Sequence, residues 1–498
     1  MDEKPEPMLI GCKIGRPFTG LAVVLWIALW AVACSVRPSN QEGNRQPNLL
    51  LLIADDWSYP HAGVYGDKVA QTPTFDRLAA EGVLFTNAFC AAPSCSPSRA
   101  AILTGQYPHR LEQGANLWGT LDRKYLTYTQ LLERQGYFVG MAKKGWGPGN
   151  FGAGGYEHNP AGREYAGFEE FYDSRPNKAP FCFWFGSQDP HRPYVQGLGA
   201  EAGLNADSLL VPSFLIDLPV VQQDLLDYYY ELNRFDQECG EILRFLEEMG
   251  ELDNTIVVMT SDNGMPFPRS KANLYDYGTR VPLVLSWKGK GIRGITFDGL
   301  VNLLSLAPTF LDAARVEPPA AMDGISLLPV LLQGKNKQGK DYVYLERERH
   351  GNVRQGHLGY PARAIRDHQY LYIRNLRPER WPAGDPELTG AATSYGDVDD
   401  SPSKFFMMHF EGNEAYGPLF ELSFGKRPYE ELYQIDSDPF QMKNLAGISR
   451  YQKVVKQYAR MMDAAMAVTD DPWADPYFEG FDQYPYYGMH NFFPGLQH

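Results

Sequence analysis

A cysteine, a proline and an arginine are grouped at the predicted start of a helix. The stretch Cys95-Ser-Pro-Ser-Arg99 continues into apolar residues and ends at Gly105. The first turn of a helix presents unpaired N–H groups and a partial positive charge, and both attract anions. Arg99 lies four residues after Cys95, on the same helix face, and adds a fixed cation. The pattern predicts either a buried structural cysteine or a nucleophile beside an anion site.

Acidic side chains follow two predicted strands at the point where each strand ends. Asp55 and Asp56 come directly after one apolar run of strand length, and Asp262 and Asn263 follow another. Adjacent carboxylates repel each other unless a cation lies between them. The alternative is a pair of loop acids, one of which caps a helix. Because oxygen ligands suit Ca²⁺ or Mg²⁺ and the zinc patterns are missing from the sequence, the second strand end favours a hard-cation site.

Three further segments contribute cations or a proton donor. Lys271 opens the string Lys-Ala-Asn-Leu-Tyr-Asp-Tyr-Gly-Thr-Arg-Val-Pro, and His191 lies within Asp-Pro-His-Arg-Pro. Lys143 and Lys144 follow a third apolar run. On its own, a histidine before Arg-Pro is typical of an ordinary loop. Together with the cysteine and the acids, these side chains become candidates for binding an anion and for general-acid catalysis.

In this order along the chain, the motifs resemble those of the type I sulfatases, a family with the alkaline-phosphatase-like fold. The resemblance rests on Cys-x-Pro-Ser-Arg with the trailing Leu-Thr-Gly, on the two acidic strand ends, and on the lysine block, in which Asp276 replaces a glutamate. It implies that Cys95 is oxidised to formylglycine (3-oxoalanine) by a formylglycine-generating enzyme. It also implies a bound Ca²⁺, in preference to Mg²⁺. The implied metal ligands are Asp55, Asp56, Cys95, Asp262 and Asn263.

The same resemblance assigns the catalytic roles. Arg99, Lys143 and Lys271 would stabilise charge on the sulfuryl oxygens. His191 would protonate the departing alcohol or amine.

One motif departs from the family pattern. Where many sulfatases have Gly-Lys-Trp-His-Leu-Gly, this chain has Ala-Lys-Lys-Gly-Trp-Gly-Pro. Without a gap, Lys143 takes the position of the catalytic lysine, whereas a slip of one residue selects Lys144. Gly145 stands where the family has a histidine, which leaves the proton acceptor of the release step unassigned. The Lys-Lys-x-x-Gly-Pro string, with the Asp-Pro-His-Arg element, is similar to the subgroup that includes heparan N-sulfatase.

Apolar runs that alternate with helical patterns position these residues. The runs typical of buried strands lie at 48–54, 137–142, 181–186, 255–260 and 281–287, and the clearest amphipathic helix spans 220–249. This alternation predicts an α/β fold with a large mixed, mostly parallel sheet sandwiched by helices and with ligands at the carboxyl ends of its strands. The aromatic-rich, alternating pattern that follows predicts a smaller α+β subdomain. We expect a catalytic domain over 47–340 and a C-terminal subdomain over 341–498.

The N-terminus reads as a targeting segment. Basic residues precede an apolar run that is too short to span a bilayer comfortably and that ends in Ala-Val-Ala-Cys. We expect a lipoprotein signal peptide over 1–33, a lipid anchor on Cys34 and a tether over 34–46. An ordinary secretory signal and an uncleaved anchor are the alternatives. The expected location is the periplasm or outer membrane of a bacterium.

Composition narrows the function further. The formal net charge of −14 argues against a general nucleic-acid binder, which needs a basic face. The remaining cysteines, Cys90, Cys182 and Cys239, are odd in number, and their spacing demands no disulfide. The resemblance implies a sulfuric ester hydrolase that acts on a sulfated oligosaccharide or polysaccharide. The alternatives are a phosphonate or phosphate monoester hydrolase of the same superfamily and a glycan-binding lipoprotein without activity.

Overall fold

The computed structural model describes residues 45–334, 341–387, 393–475 and 477–488. The predicted signal peptide, the lipid anchor on Cys34 and nearly all of the tether lie outside the described residues. Within the described part, no helix is both long enough and apolar enough to cross a membrane. The described residues from 46 onward form one compact unit.

A large mixed sheet lies at the centre of the protein. Its strands are β1 Asn48–Ala54, β2 Val83–Phe89, β3 Phe138–Lys143, β4 Arg163–Glu164, β5 Phe181–Gly186, β6 Thr255–Ser261, β7 Arg280–Ser286, β8 Ile295–Phe297 and β9 Val301–Asn302. Their order is β4-β3-β5-β1-β6-β7-β2-β8, and β9 also pairs with β2. Strand β7 runs antiparallel to both of its neighbours, β6 and β2. The other pairs are parallel.

Helices cover both faces of this sheet. The α-helices are α1 Pro73–Ala80, α2 Cys95–Thr104, α3 Tyr128–Arg134, α4 Phe168–Asp173, α5 Leu198–Glu201, α6 Pro219–Glu248, α7 Asp276–Thr279, α8 Leu306–Ala313, α9 Leu328–Gln333, α10 Pro402–Met408, α11 Gly417–Phe424 and α12 Gln452–Val468. On β1, Leu50 and Leu52 pack into one core, and Leu49 and Leu51 pack into the other. A strand buried on both faces must be apolar at every position, which explains the continuous run of leucines.

A second, smaller sheet follows in the C-terminal part. Its antiparallel strands are β10 Val343–Arg347, β11 Ala362–Arg366, β12 Tyr370–Asn375 and β13 Glu430–Gln434. Helix α12 covers this sheet through Val455 and Met462, which share a buried cluster with Tyr372 and Leu432.

The predicted fold class is confirmed: a mostly parallel sheet between helices, followed by a smaller α+β part. The long helix begins and ends one residue before its predicted bounds. The predicted runs did not include β2. They also did not include β4, β8 and β9, which are only two or three residues long. The second sheet begins at Val343, close to the boundary predicted at residue 340. The domain boundaries themselves stay predictions.

Candidate active site

The two acidic strand ends lie side by side. Strands β1 and β6 pair in parallel with Ala54 opposite Ser261, so the residues that follow them leave the same edge of the sheet. The backbone N–H of Asp56 donates to Oδ1 of Asp262 at 3.2 Å. Nδ2 of Asn263 donates to Oδ1 of Asp56 at 2.7 Å. The predicted grouping of these side chains is therefore what the structure contains.

Cys95 lies at the start of α2 and faces these acids. Its thiol donates to Oδ1 of Asp55 over 3.4 Å. Every residue of α2 is buried, and the hydroxyl of Ser98 donates to the backbone oxygen of Asp262 at 2.5 Å. Burial raises the pKa of the Cys95 thiol well above its usual range. The carboxylate of Asp55 adds to this shift, and the ammonium of Lys144 opposes it. An unmodified Cys95 is therefore a neutral thiol, not a thiolate.

Arg99 connects the acidic residues to the segment that follows β3. Its side chain is fully buried, and Nε donates to Oδ2 of Asp262 at 2.7 Å. Nη1 donates to the backbone oxygens of Lys144 and Gly145 at 2.8 and 2.9 Å. Nη2 lies 3.7 Å from Oδ1 of Asp55. Arg99 is not among the residues that line the cavity above Cys95, so its visible role is to fix the carboxylates and the end of β3.

The two adjacent lysines have different surroundings. Lys144 donates to Oδ2 of Asp55 and lines the cavity. Lys143, the residue selected by the ungapped comparison, donates instead to Glu238 at 2.5 Å, and its side chain is 39% exposed. Lys143 also has a φ of 62°, an uncommon conformation that turns the chain at this point. The structure therefore corrects the choice: Lys144, not Lys143, reaches the site.

Lys271 and His191 also lie beside the acids. Lys271 is buried and donates to Oδ2 of Asp56 at 2.8 Å, and its ammonium also lies 3.3 Å from Asp399. His191 donates through Nδ1 to the backbone oxygen of Arg192 at 2.5 Å. That bond leaves Nε2 facing the acids, 3.9 Å from Oδ2 of Asp56.

The charges in this cluster shift one another's pKa values in opposite directions. Burial alone would raise the pKa of the Asp55 carboxyl, but the cations led by Lys144 and His191 hold it well below its usual range. Asp262 differs, because burial and the neighbouring Asp55 outweigh Arg99 and raise its pKa to about 6. The site therefore contains carboxylates that repel one another and that neighbouring cations stabilise.

The residues present fit a hard divalent cation. Ligand atoms of Asp55, Asp56 and Cys95 all lie within 4.8 Å of one another and are buried. Oδ1 of Asn263 is buried without a hydrogen-bond partner, and an oxygen left in this state is a natural metal ligand. Carboxylate and amide oxygens are the donors that Ca²⁺ and Mg²⁺ prefer.

A cavity of about 890 Å³ opens above Cys95. Its inner end carries the cations described above. Trp118 and Tyr486 stand together on its wall with ring centroids 6.3 Å apart, and the acids Asp399 and Asp400 also line it. Tyr194 is not among the lining residues.

Some lining residues were missed by sequence reasoning. His350, Asp399 and Tyr486 come from the part of the chain beyond residue 341, where no motif had been recognised. The string Glu-Arg-Glu-Arg-His that ends at His350, directly after a predicted strand, is the one signal that could have marked that residue.

Comparisons with known proteins agree with this geometry. The model of the sulfatase family matches residues 47–316, and a model described as the C-terminal part of N-sulphoglucosamine sulphohydrolase matches residues 269–385. The ulvan-active sulfatase of Formosa agariphila is 28% identical over 479 residues, which cover 91% of this chain and 89% of that protein. Human N-sulphoglucosamine sulphohydrolase is 28% identical over 478 residues, which cover 86% and 91%.

A solved structure shares the fold. It is described as a complex with its substrate, D-glucosamine-2-N,6-O-disulfate, and it aligns with a TM-score of 0.59 at 20% identity, covering 87% of this chain and 100% of that one. At this identity the likeness concerns the fold alone. The sulfatase model, by contrast, spans more than half of the sequence. This chain belongs to the sulfatase family of sulfuric ester hydrolases.

Proposed function

We propose that the protein hydrolyses sulfate groups of a sulfated glycan, with residue 95 as the nucleophile after its oxidation to formylglycine. The observation that carries the proposal is the position of Cys95. It starts a buried helix at the floor of a large cavity, with Asp55 on one side and Lys144 and Lys271 close by. A neutral, buried thiol is a poor nucleophile. The hydrated aldehyde would supply a hydroxyl that attacks sulfur and a second hydroxyl through which sulfate is released.

Asp55, Asp56, Asp262 and Asn263 would hold a Ca²⁺ ion beside residue 95. When bound, the ion would lower the pKa of the attacking hydroxyl and neutralise charge on the sulfuryl oxygens. The support is the crowding of the carboxylates and the unpartnered amide oxygen of Asn263.

The other side chains bind the sulfate and assist departure of the glycan. The ammonium groups of Lys144 and Lys271 are held in place by Asp55 and Asp56, and they present fixed positive charge at the inner end of the cavity. Preorganised charge of this kind stabilises the transition state because it needs no reorganisation during the reaction. Nε2 of His191 would donate a proton to the departing oxygen or nitrogen.

A sugar ring fits the outer part of the cavity. Trp118 and Tyr486 offer aromatic faces, and Asp399 and Asp400 offer acceptors for hydroxyl or amine groups. The relatives are named for N-sulphoglucosamine and for ulvan, so the substrate class we propose is an N- or O-sulfated polysaccharide or its fragments.

The cellular setting is proposed from the sequence alone. A signal peptide and a lipid anchor on Cys34 would place the enzyme in the periplasm or on the outer membrane of a bacterium, where it would meet sulfated polysaccharides. A formylglycine-generating enzyme is the partner required for maturation.

Mass spectrometry of the peptide that contains residue 95 tests the nucleophile. In a host that carries the modifying enzyme, we expect a mass lower by about eighteen units, the change from thiol to aldehyde. An unmodified thiol in such a host would contradict the proposal and would favour a glycan-binding protein without activity.

Paired substrates test the reaction. Release of sulfate from N-sulfated and O-sulfated glucosamine and from ulvan fragments should exceed turnover of matched aryl phosphates and phosphonates. A preference for phosphorus would instead identify a phosphate or phosphonate monoester hydrolase.

A further inference from the structure

Two histidines line the cavity, and the proposed function uses only one of them. His191 stands beside Asp56. His350 enters from the C-terminal part of the chain, three residues after β10 ends. It is buried, and its Nδ1 lies 2.8 Å from the hydroxyl of Ser94, the residue directly before Cys95. One short hydrogen bond therefore fixes the ring to the residue that precedes the nucleophile.

The loop after β3 has no room for a proton acceptor at Gly145. A Cβ added there would lie 2.4 Å from Oδ1 of Asn159 and 2.5 Å from Sδ of Met141. Asn159 cannot easily move away, because it accepts from the N–H of Trp146 and donates to its oxygen, each at 2.8 Å. Any imidazole serving the nucleophile must come from another element.

The carboxylates near Cys95 are poorly suited to take a proton from it. Asp55 is paired with Lys144, Asp56 with Lys271, and Asp262 with Arg99. Each is also a proposed ligand of the metal ion. Among the described residues that line the cavity, His350 is a titratable group that is hydrogen-bonded to the residue preceding Cys95 and that takes part in none of the observed ion pairs.

We infer that His350 accepts, at Nε2, the proton that residue 95 loses when sulfate is released. This inference rests on the proposed function. In the step, the O–H bond of the remaining hydroxyl breaks and its proton moves to Nε2. The electron pair of that O–H bond forms the C=O bond of the aldehyde. The C–O bond to sulfate breaks, and sulfate leaves with the electron pair of the C–O bond. No external oxidant or reductant is needed.

The hydrogen bond to Ser94 is compatible with the tautomer that the step requires. If Nδ1 carries the hydrogen and donates to the serine oxygen, Nε2 keeps a lone pair that can accept a proton. Burial lowers the pKa of His350 to about 4, and the positive charges of Lys271 and Arg347 act in the same direction. The carboxylates of Asp397 and Asp399 oppose this shift. The ring is therefore neutral near pH 7, and the two carboxylates would stabilise the imidazolium once it forms.

The experiment compares His350→Gln and His350→Ala with the wild-type enzyme, after mass spectrometry has verified that residue 95 is the aldehyde in each. We expect kcat to fall by about 100-fold or more, the size typical of a lost proton acceptor. The decisive measurement is the mass of the residue-95 peptide after acid quench during turnover. In the variants, a fraction should be heavier than the aldehyde form by about 98 units, the mass of a retained sulfo group together with the water of the hydrate.

Two controls keep the outcome interpretable. His368→Gln changes an exposed histidine between β11 and β12 and should behave as wild type. Added imidazole should restore part of the turnover of His350→Ala, which a folding defect would not allow.

Wild-type kcat in His350→Gln would overturn the inference. Loss of turnover in correctly modified variants with no sulfated peptide and no rescue would overturn it as well. If the wild-type enzyme with verified aldehyde releases no sulfate, the proposed function fails and this inference fails with it.

Discussion

Adjacent residues of one type can differ completely in role, as Lys143 and Lys144 show. The backbone oxygen of Lys144 accepts from Nη1 of Arg99 and from Nε1 of Trp184, at 2.8 and 3.0 Å. A Cβ at Gly186 would lie only 1.7 Å from that oxygen, so the glycine permits the close approach. The backbone is thus anchored with the Lys144 side chain directed into the cavity.

Substitution of each lysine separates the two roles. Lys144→Ala should lower kcat/KM by about 100- to 1,000-fold, because a preorganised charge at the sulfuryl group is lost. Lys143→Ala removes only a half-exposed pair with Glu238 and should change kcat/KM little. Steady-state kinetics with one sulfated sugar measures both. A larger effect at Lys143 would return that residue to the catalytic position.

Trp118 is the residue whose substitution best tests sugar binding. It lines the cavity next to Tyr486, and its φ of 57° is a conformation that non-glycine residues seldom adopt. An unfavourable backbone conformation of this kind persists where the surrounding structure imposes it, often at a functional site.

We expect Trp118→Ala to raise KM for a sulfated sugar by about fivefold, which corresponds to roughly 1 kcal/mol of stacking. The value of kcat should change less, because the role proposed for Trp118 is to bind the sugar ring and not the sulfate. Tyr194→Phe is the matched control outside the cavity lining. An equal rise in KM for a small aryl sulfate, which has no sugar ring, would argue against stacking on the sugar.

At the scale of elements, the sequence predicted the central strands better than the edges. The strand β1 is a run of leucines because both of its faces are buried. Its end, with Asp55 and Asp56, could therefore be placed beside the end of β6. The antiparallel β7 could not be foreseen, since an apolar run gives no direction. The choice between Lys143 and Lys144 could not be settled from the sequence, because it depends on a backbone turn. The approach of His350 to Ser94 could not be foreseen, because it depends on contacts between distant segments.

A buried charge cluster joins the small sheet to the segment that follows α2. Nδ1 of His109 lies 2.9 Å from Oε2 of Glu346, and Nε2 lies 3.0 Å from the backbone oxygen of Thr469. Both partners are acceptors, so both ring nitrogens carry hydrogen. Burial alone would lower the pKa of His109, but Glu346 and Asp471 outweigh it and raise the pKa. Arg363 forms an ion pair with Asp471 and so compensates part of the negative charge of the cluster.

The cluster predicts a pH-dependent contribution to stability. A raised pKa in the folded state means that the stabilisation is present in full below the unfolded pKa of 6.5. It declines as the pH rises through the folded pKa. At pH 6, His109→Gln should lower the free energy of unfolding by about 1–3 kcal/mol, and the deficit should shrink toward pH 9.

Chemical unfolding of both proteins at several pH values measures this difference. His158→Gln, at an exposed position, is the control. A deficit that stays constant or grows with pH would mean that the His109 ring is neutral in the folded protein.

At the scale of the whole molecule, the site is assembled from distant parts of an acidic chain. The net charge is −14, yet the inner cavity presents Lys144, Lys271 and His191. Local charge, not the net value, decides which ligand binds there. The small sheet contributes through His350, which follows its first strand, and the last described segment contributes Tyr486. The C-terminal part is therefore a wall of the cavity, and its folding is needed to complete the substrate site.

Metal binding should consequently stabilise the whole fold. A ligand that binds only the folded state adds about 2.7 kcal/mol at a concentration 100 times its Kd. The proposed Ca²⁺ would be held by residues at the ends of β1 and β6, at the centre of the main sheet. Its removal should therefore lower the stability of the whole fold. We expect a chelator to lower the Tm of the wild-type protein and added Ca²⁺ to restore it, with Mg²⁺ less effective. Asp56→Asn should abolish this response, whereas Asp253→Asn, at an exposed position, should retain it. Calorimetry measures these shifts in Tm without any turnover. A Tm that changes with neither chelator nor Ca²⁺ would contradict a metal ion at these strand ends.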